Sequence, residues 1–152
     1  MNYLKIQRKW IELMKKKVGI IACSGEKLIG GTLSRAAARI VVEKLRPDST
    51  IILCQPLFAA GGLERHGGQE ERNFAKYHPT ITIEGCEEEC SKIAVERYSG
   101  SISTIIKVYE ILKAHPELIT KAREDLGEDG MRLAEIIAEE IAKKVDELFV
   151  SE

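Results

Sequence analysis

A chain of 152 residues is long enough to bury a full core without a metal or disulfide staple, and short enough to form one domain. Its formal net charge of −1 gives no reason to expect nucleic-acid or polyanion binding. No apolar run approaches membrane-spanning length.

The chain opens on an amphipathic stretch. Tyr3, Ile6, Trp10 and Leu13 follow helical spacing, with Lys5, Arg8, Lys9 and Lys15 to Lys17 between them. This predicts an N-terminal helix over 1–16, docked on its own domain or on a second subunit in a homodimer, and not on a membrane. The same residues carry charge where a secretion signal has its apolar core. A reducing, cytoplasmic setting is therefore expected, in which clustered cysteines do metal or redox work.

Residues 17–150 read as one α/β domain. Apolar β-branched runs predict strands over 17–22, 50–54 and 80–84. Helices are expected over 33–45, with Thr32 as N-cap, and over 91–98. Between them, Gln55 to Gly68 has the proline and glycines of a mobile loop, and Glu64 to Tyr77 a helical pattern broken near Gly67-Gly68. The density of β-branched residues predicts a fourth strand over 101–109. A short helix over 117–126 and a long one from about Asp129-Gly130 to 149 complete the pattern. Alternating strands and helices imply a doubly wound, mostly parallel four-stranded sheet of the Rossmann or flavodoxin-like kind, with helices on both faces.

The four cysteines share a context. Cys23, Cys54 and Cys86 each follow an apolar strand, about 30 residues apart, the length of one strand and its crossover. In an open parallel sheet those strand ends lie side by side at the ligand-binding crevice. Cys90 stands four residues after Cys86, at a strand-to-helix turn, so the pair is expected to share one helix face. Four convergent thiols suit zinc; an iron–sulfur cluster takes the same ligands, and a redox disulfide is the non-metal alternative. His66 is a further candidate ligand that a four-thiolate zinc does not need, and Arg65, Arg72 and Lys92 would offset the negative charge of such a site.

The loop from Gly25 to Thr32 matches the phosphate-binding pattern at Gly25, Gly30 and Thr32 but has Gly31 where the lysine belongs. Nucleotide hydrolysis is thereby disfavoured. Gly25, Gly30, Gly31 and Thr32 remain candidates for binding a small anion through backbone N–H groups, with Lys27, Arg35 and Arg65 as charge partners. The plainer reading is that the glycines let backbone pass close to the cysteines.

Taken together, Ala22-Cys23-Ser24-Gly25, Cys54, Ile83-Glu84-Gly85-Cys86 and Cys90 resemble the DGC-domain family, named for an Asp-Gly-Cys motif and carrying four characteristic cysteines. The resemblance covers roughly residues 17–112 and implies Cys23, Cys54, Cys86 and Cys90 as zinc ligands. The chain departs from the motif by having Glu84 in the aspartate's place. The expected function is a metal-binding or sensing module; the alternative is an enzyme using the metal or a thiolate on a small molecule in the crevice.

Overall fold

The computed structural model describes residues 2–5, 8, 17–60 and 68–150. Four parallel strands form one sheet in the order β2-β1-β3-β4: β1 Val18–Ala22, β2 Thr50–Leu53, β3 Thr80–Glu84 and β4 Thr104–Lys107. The helices are α1 Ile29–Ile40, α2 Gln55–Ala59, α3 Gln69–Tyr77, α4 Cys90–Tyr98, α5 Val108–Ala114 and α6 Gly127–Val150. The chain leaves β1 for β2 on one side and returns to β3 on the other. That reversal puts the switch point between the carboxyl ends of β1 and β3.

The two central strands are buried on both faces, which is why they read as continuous apolar or β-branched runs. Alternation along each strand feeds two cores. Val18, Ile20, Ile81, Ile83 and Ile106 pack with Leu33 and the α1 alanines against Leu133, Ile137 and Ile141 of α6. Ile21 and Leu53 face Phe58, Phe74, Ala94 and Val95 of α2, α3 and α4 on the opposite side. The doubly wound fold expected from the sequence is thus present, with α1 and α6 on one face and α2, α3 and α4 on the other.

Four local expectations are corrected. First, α1 begins at Ile29 with Leu28 as N-cap, so Thr32 lies inside the helix, and Val41–Leu45 widens into a π-helical turn. Helix propensity argues against starting on Gly30-Gly31, but backbone packing described below demands glycine there. Second, the fourth strand is only Thr104–Lys107, the length that pairs with Ile81–Glu84; the chain then turns directly into α5. Third, 117–126 is not helical. Lys121 N–H donates to the Leu126 carbonyl and Ala122 N–H to the Asp125 carbonyl, closing a tight loop that buries Leu126. Fourth, Gln55–Ala59, expected in a mobile loop, is a short helix anchored by the fully buried Phe58.

The break near Gly67-Gly68 falls at Gly68, whose φ of 76° precedes α3. Of the expected N-terminal helix, Tyr3 and Leu4 are exposed, while Ile6, Trp10 and Leu13 lie outside the described residues, as do Arg65 and His66.

Candidate metal centre

The cysteines occupy the carboxyl edge of the sheet. Cys23 directly follows β1, and its N–H donates to the Ile83 carbonyl of β3 (2.9 Å), so it stands level with Glu84. Cys54 follows Leu53, which pairs with Ile21, and so stands beside Ala22 on the outer strand. Cys86 lies two residues beyond β3 in a turn and Cys90 opens α4, so the two do not share a helix face as expected: left-handed Glu89 keeps the helix from starting before Cys90. All four are free thiols: Cys23 is buried, Cys86 half-buried, Cys54 and Cys90 exposed.

The supporting loops are tied together by backbone. A Cβ on Gly30 would stand 2.1 Å from the Gly85 carbonyl oxygen, and one on Gly31 2.1 Å from that of Gly25. The start of α1 therefore lies directly on both cysteine loops, one after β1 and one after β3. Only glycine permits that approach. Of the two readings of the glycine loop, close backbone passage is the one with a contact behind it. Thr32 lies apart from the cysteines, in a groove of about 520 Å³ shared with Arg39, Arg123 and Met131.

Side chains finish the bracing. Arg35 donates from Nη1 to the carbonyls of Cys23 (3.1 Å) and Gly25 (3.0 Å) and pairs through Nη2 with Glu26 (3.2 Å). Arg35, one of the candidate charge partners for an anion, thus has its guanidinium on the Cys23 loop. Arg123 donates to the Glu26 carbonyl, so the 117–126 segment clasps the same loop. Gln55 Oε1 accepts from Ser24 N–H (3.1 Å), linking the residue after Cys23 to the residue after Cys54. Gly25 N–H points at Cys23 Sγ (3.4 Å), tying the loop back onto the cysteine.

The surroundings of Cys90 shift its titration. The Cys90 thiol is pushed above its ordinary pKa, first by desolvation, then by the Glu88 carboxylate, with Cys86, Cys23 and Glu84 adding to the effect. Negative charge is thus unfavourable there until a cation offsets it. Chemically the donor set fits a soft divalent ion. Among the described residues, no three His, Cys, Asp or Glu side chains form a closed ion-holding group.

Sequence reasoning missed the work of Glu84. It is 1% exposed, and its Oε1 accepts from Lys92 N–H (3.1 Å) in the first turn of α4. Burial pushes its carboxyl above the ordinary range, opposed by the N–H groups of Lys92 and Ser91. A carboxylate ending a buried strand, six residues before a helix begins, was the available signal.

Compared with known families, the chain matches the DGC domain over residues 19–146. No curated protein and no solved structure matches it.

Proposed function

The chain belongs to the DGC-domain family, and from that premise we propose that it is a cytoplasmic zinc-binding protein whose ligands are Cys23, Cys54, Cys86 and Cys90. What supports the proposal is that Cys23, Cys54 and Cys86, all free thiols, follow three neighbouring strands on one edge of the sheet, with the free thiol of Cys90 opening the next helix. The domain has two apolar cores of its own, so the metal is not needed as a folding staple. That favours a carrier or sensing role over a purely structural one. When bound, zinc would supply the positive charge that stabilises the thiolates. Uptake would then release protons, and loading would weaken as pH falls.

Elemental analysis of the purified protein is expected to give about one zinc per chain. Replacing Cys86 by Ser is expected to abolish tight binding while far-UV circular dichroism stays that of a folded α/β domain. A metal-free protein after anaerobic purification, or a brown chromophore from iron and sulfide, would overturn the zinc assignment.

One observation favours a second reading. The cysteines flank the switch point of the sheet, where α/β proteins bind the molecules they act on. If the site is an enzyme's, zinc keeps a coordination position for water or substrate. Cobalt-substituted protein distinguishes the two: a four-thiolate ion gives an absorption spectrum indifferent to added azide or imidazole, and an open site does not.

A further inference from the structure

The N–H groups at the start of α4 raise a question of support. Glu89, its N-cap, makes no side-chain capping bond and adopts φ 52°, ψ 45°, the one non-glycine left-handed conformation among the described residues. The loop it belongs to runs from Cys86 to Cys90 and is held within itself by a 3.4 Å contact from Glu89 N–H to the Cys86 carbonyl. A helix whose own N-cap leaves its first N–H groups unanswered needs another acceptor.

Glu84 is that acceptor. It comes from the last position of β3, in register with Cys23 on one side and Lys107 on the other. Its buried carboxylate reaches past the loop to Lys92 N–H at 3.1 Å. Strand, loop and helix are thereby closed into one ring whose intervening residues include both Cys86 and Cys90. We infer that Glu84 is the positioning residue of this site: its carboxylate, gripping the first turn of α4, sets where the Cys86 and Cys90 sulfurs stand relative to Cys23. This rests on the zinc reading only for its consequence in metal affinity, since the positioning itself belongs to the metal-free chain.

What matters is reach and an acceptor oxygen, not charge. The family motif has aspartate here, one methylene shorter, and this chain's contact with Lys92 uses the longer side chain. Glutamine keeps the length and an acceptor oxygen, alanine keeps neither, and aspartate keeps the charge without the reach.

The test compares Glu84→Gln, Glu84→Asp and Glu84→Ala with the unaltered protein in two measurements. Zinc affinity is read by competition with a chromophoric chelator. Alkylation of each cysteine by iodoacetamide in metal-free protein is read by mass spectrometry. The expected result is a roughly 10- to 100-fold loss of zinc affinity for alanine and aspartate, the range typical of residues that orient metal ligands, with glutamine close to the unaltered protein. Alkylation of Cys86 and Cys90 is expected to quicken in the same two variants, with Cys54, on the far strand, unchanged. Equal zinc affinity across all four proteins overturns the inference. So does a rise in alkylation shared by Cys54, which would mean general loosening and not positioning. Should the alanine variant fail to fold, the aspartate–glutamine contrast decides alone. If the unaltered protein binds no zinc, the metal proposal falls, and the selective alkylation pattern still supports or sinks the role of Glu84.

Discussion

A methyl group added at Gly30 would meet the Gly85 carbonyl oxygen at 2.1 Å, a backbone atom that cannot rotate away. Gly30→Ala would gain about 1 kcal/mol of helix propensity. Forcing the start of α1 off the Cys86 loop costs about 1–3 kcal/mol by comparison with other overpacked sites, and this term is expected to win. Urea denaturation of the metal-free variant should therefore show a net loss of stability; a gain would mean that α1 slides without penalty. Glu89 presents the opposite case. Its left-handed backbone costs a residue with a Cβ about 1–2 kcal/mol, so Glu89→Gly is expected to raise the urea midpoint. The gain should stay below that figure, because glycine also loosens the unfolded chain. The residue pattern announced the four cysteines but neither the duty of Glu84 nor the destination of Arg35. Both side chains act on groups far along or across the chain, Arg35 on the carbonyls of Cys23 and Gly25 and Glu84 on an N–H of α4.

At the level of elements, α6 is the longest helix and carries one face of the domain. Leu133, Ile137, Ile141 and Val145 are fully buried against the sheet layer, while Ile136 and Leu148 are only half-buried. Ile137→Ala is expected to cost about 2–5 kcal/mol, through lost transfer energy plus the cavity left behind, measured as a shift in the denaturation midpoint. The C-terminal part of α6 is also fastened by Arg46, which follows the π-helical turn. Its Nε and Nη2 hold both oxygens of Asp146 at 2.7 Å. The guanidinium holds the Asp146 carboxyl below its ordinary pKa. A depressed folded-state pKa means stability that is present above the unfolded pKa and lost as pH falls through the folded one. Asp146→Asn should therefore cost about 0.5–1 kcal/mol at neutral pH, a figure kept small because both side chains are substantially exposed. The difference between variant and unaltered protein should vanish in acid, below the folded pKa of Asp146. Thermal melts across pH test this, and a difference that persists in strong acid would assign the effect to something other than charge.

At the scale of the whole molecule, every core residue named above belongs to 18–145, and the described part of the N-terminal segment contributes exposed Tyr3 and Leu4. A chain starting at Lys17 is expected to unfold cooperatively at nearly the same temperature as the full chain; a collapse of the melt would place part of the core's cover in 1–16. No helix among the described residues is long and apolar enough to cross a membrane, in keeping with the absence of a long apolar run in the sequence. The α/β class, the first three strands and the placing of cysteines just after them were all legible beforehand, because periodicity and β-branched runs are local properties that burial in a parallel sheet selects for. The start of α1 was not legible, because two glycines that weaken a helix are required there by backbone lying across from them. The exchange of the expected 117–126 helix for α5 was also decided elsewhere: β4 needs only enough residues to pair with the end of β3, and Leu126 is drawn into the core beside α6. The sequence alone thus determined which residues are chemically fit for a thiolate site and which edge of the sheet carries them. Only the tertiary structure decided what holds those residues in place, since the braces — Glu84 on Lys92, Arg35 on the Cys23 loop, Gly30 on Gly85 — join positions whose proximity exists only once the sheet and its two helical layers have formed.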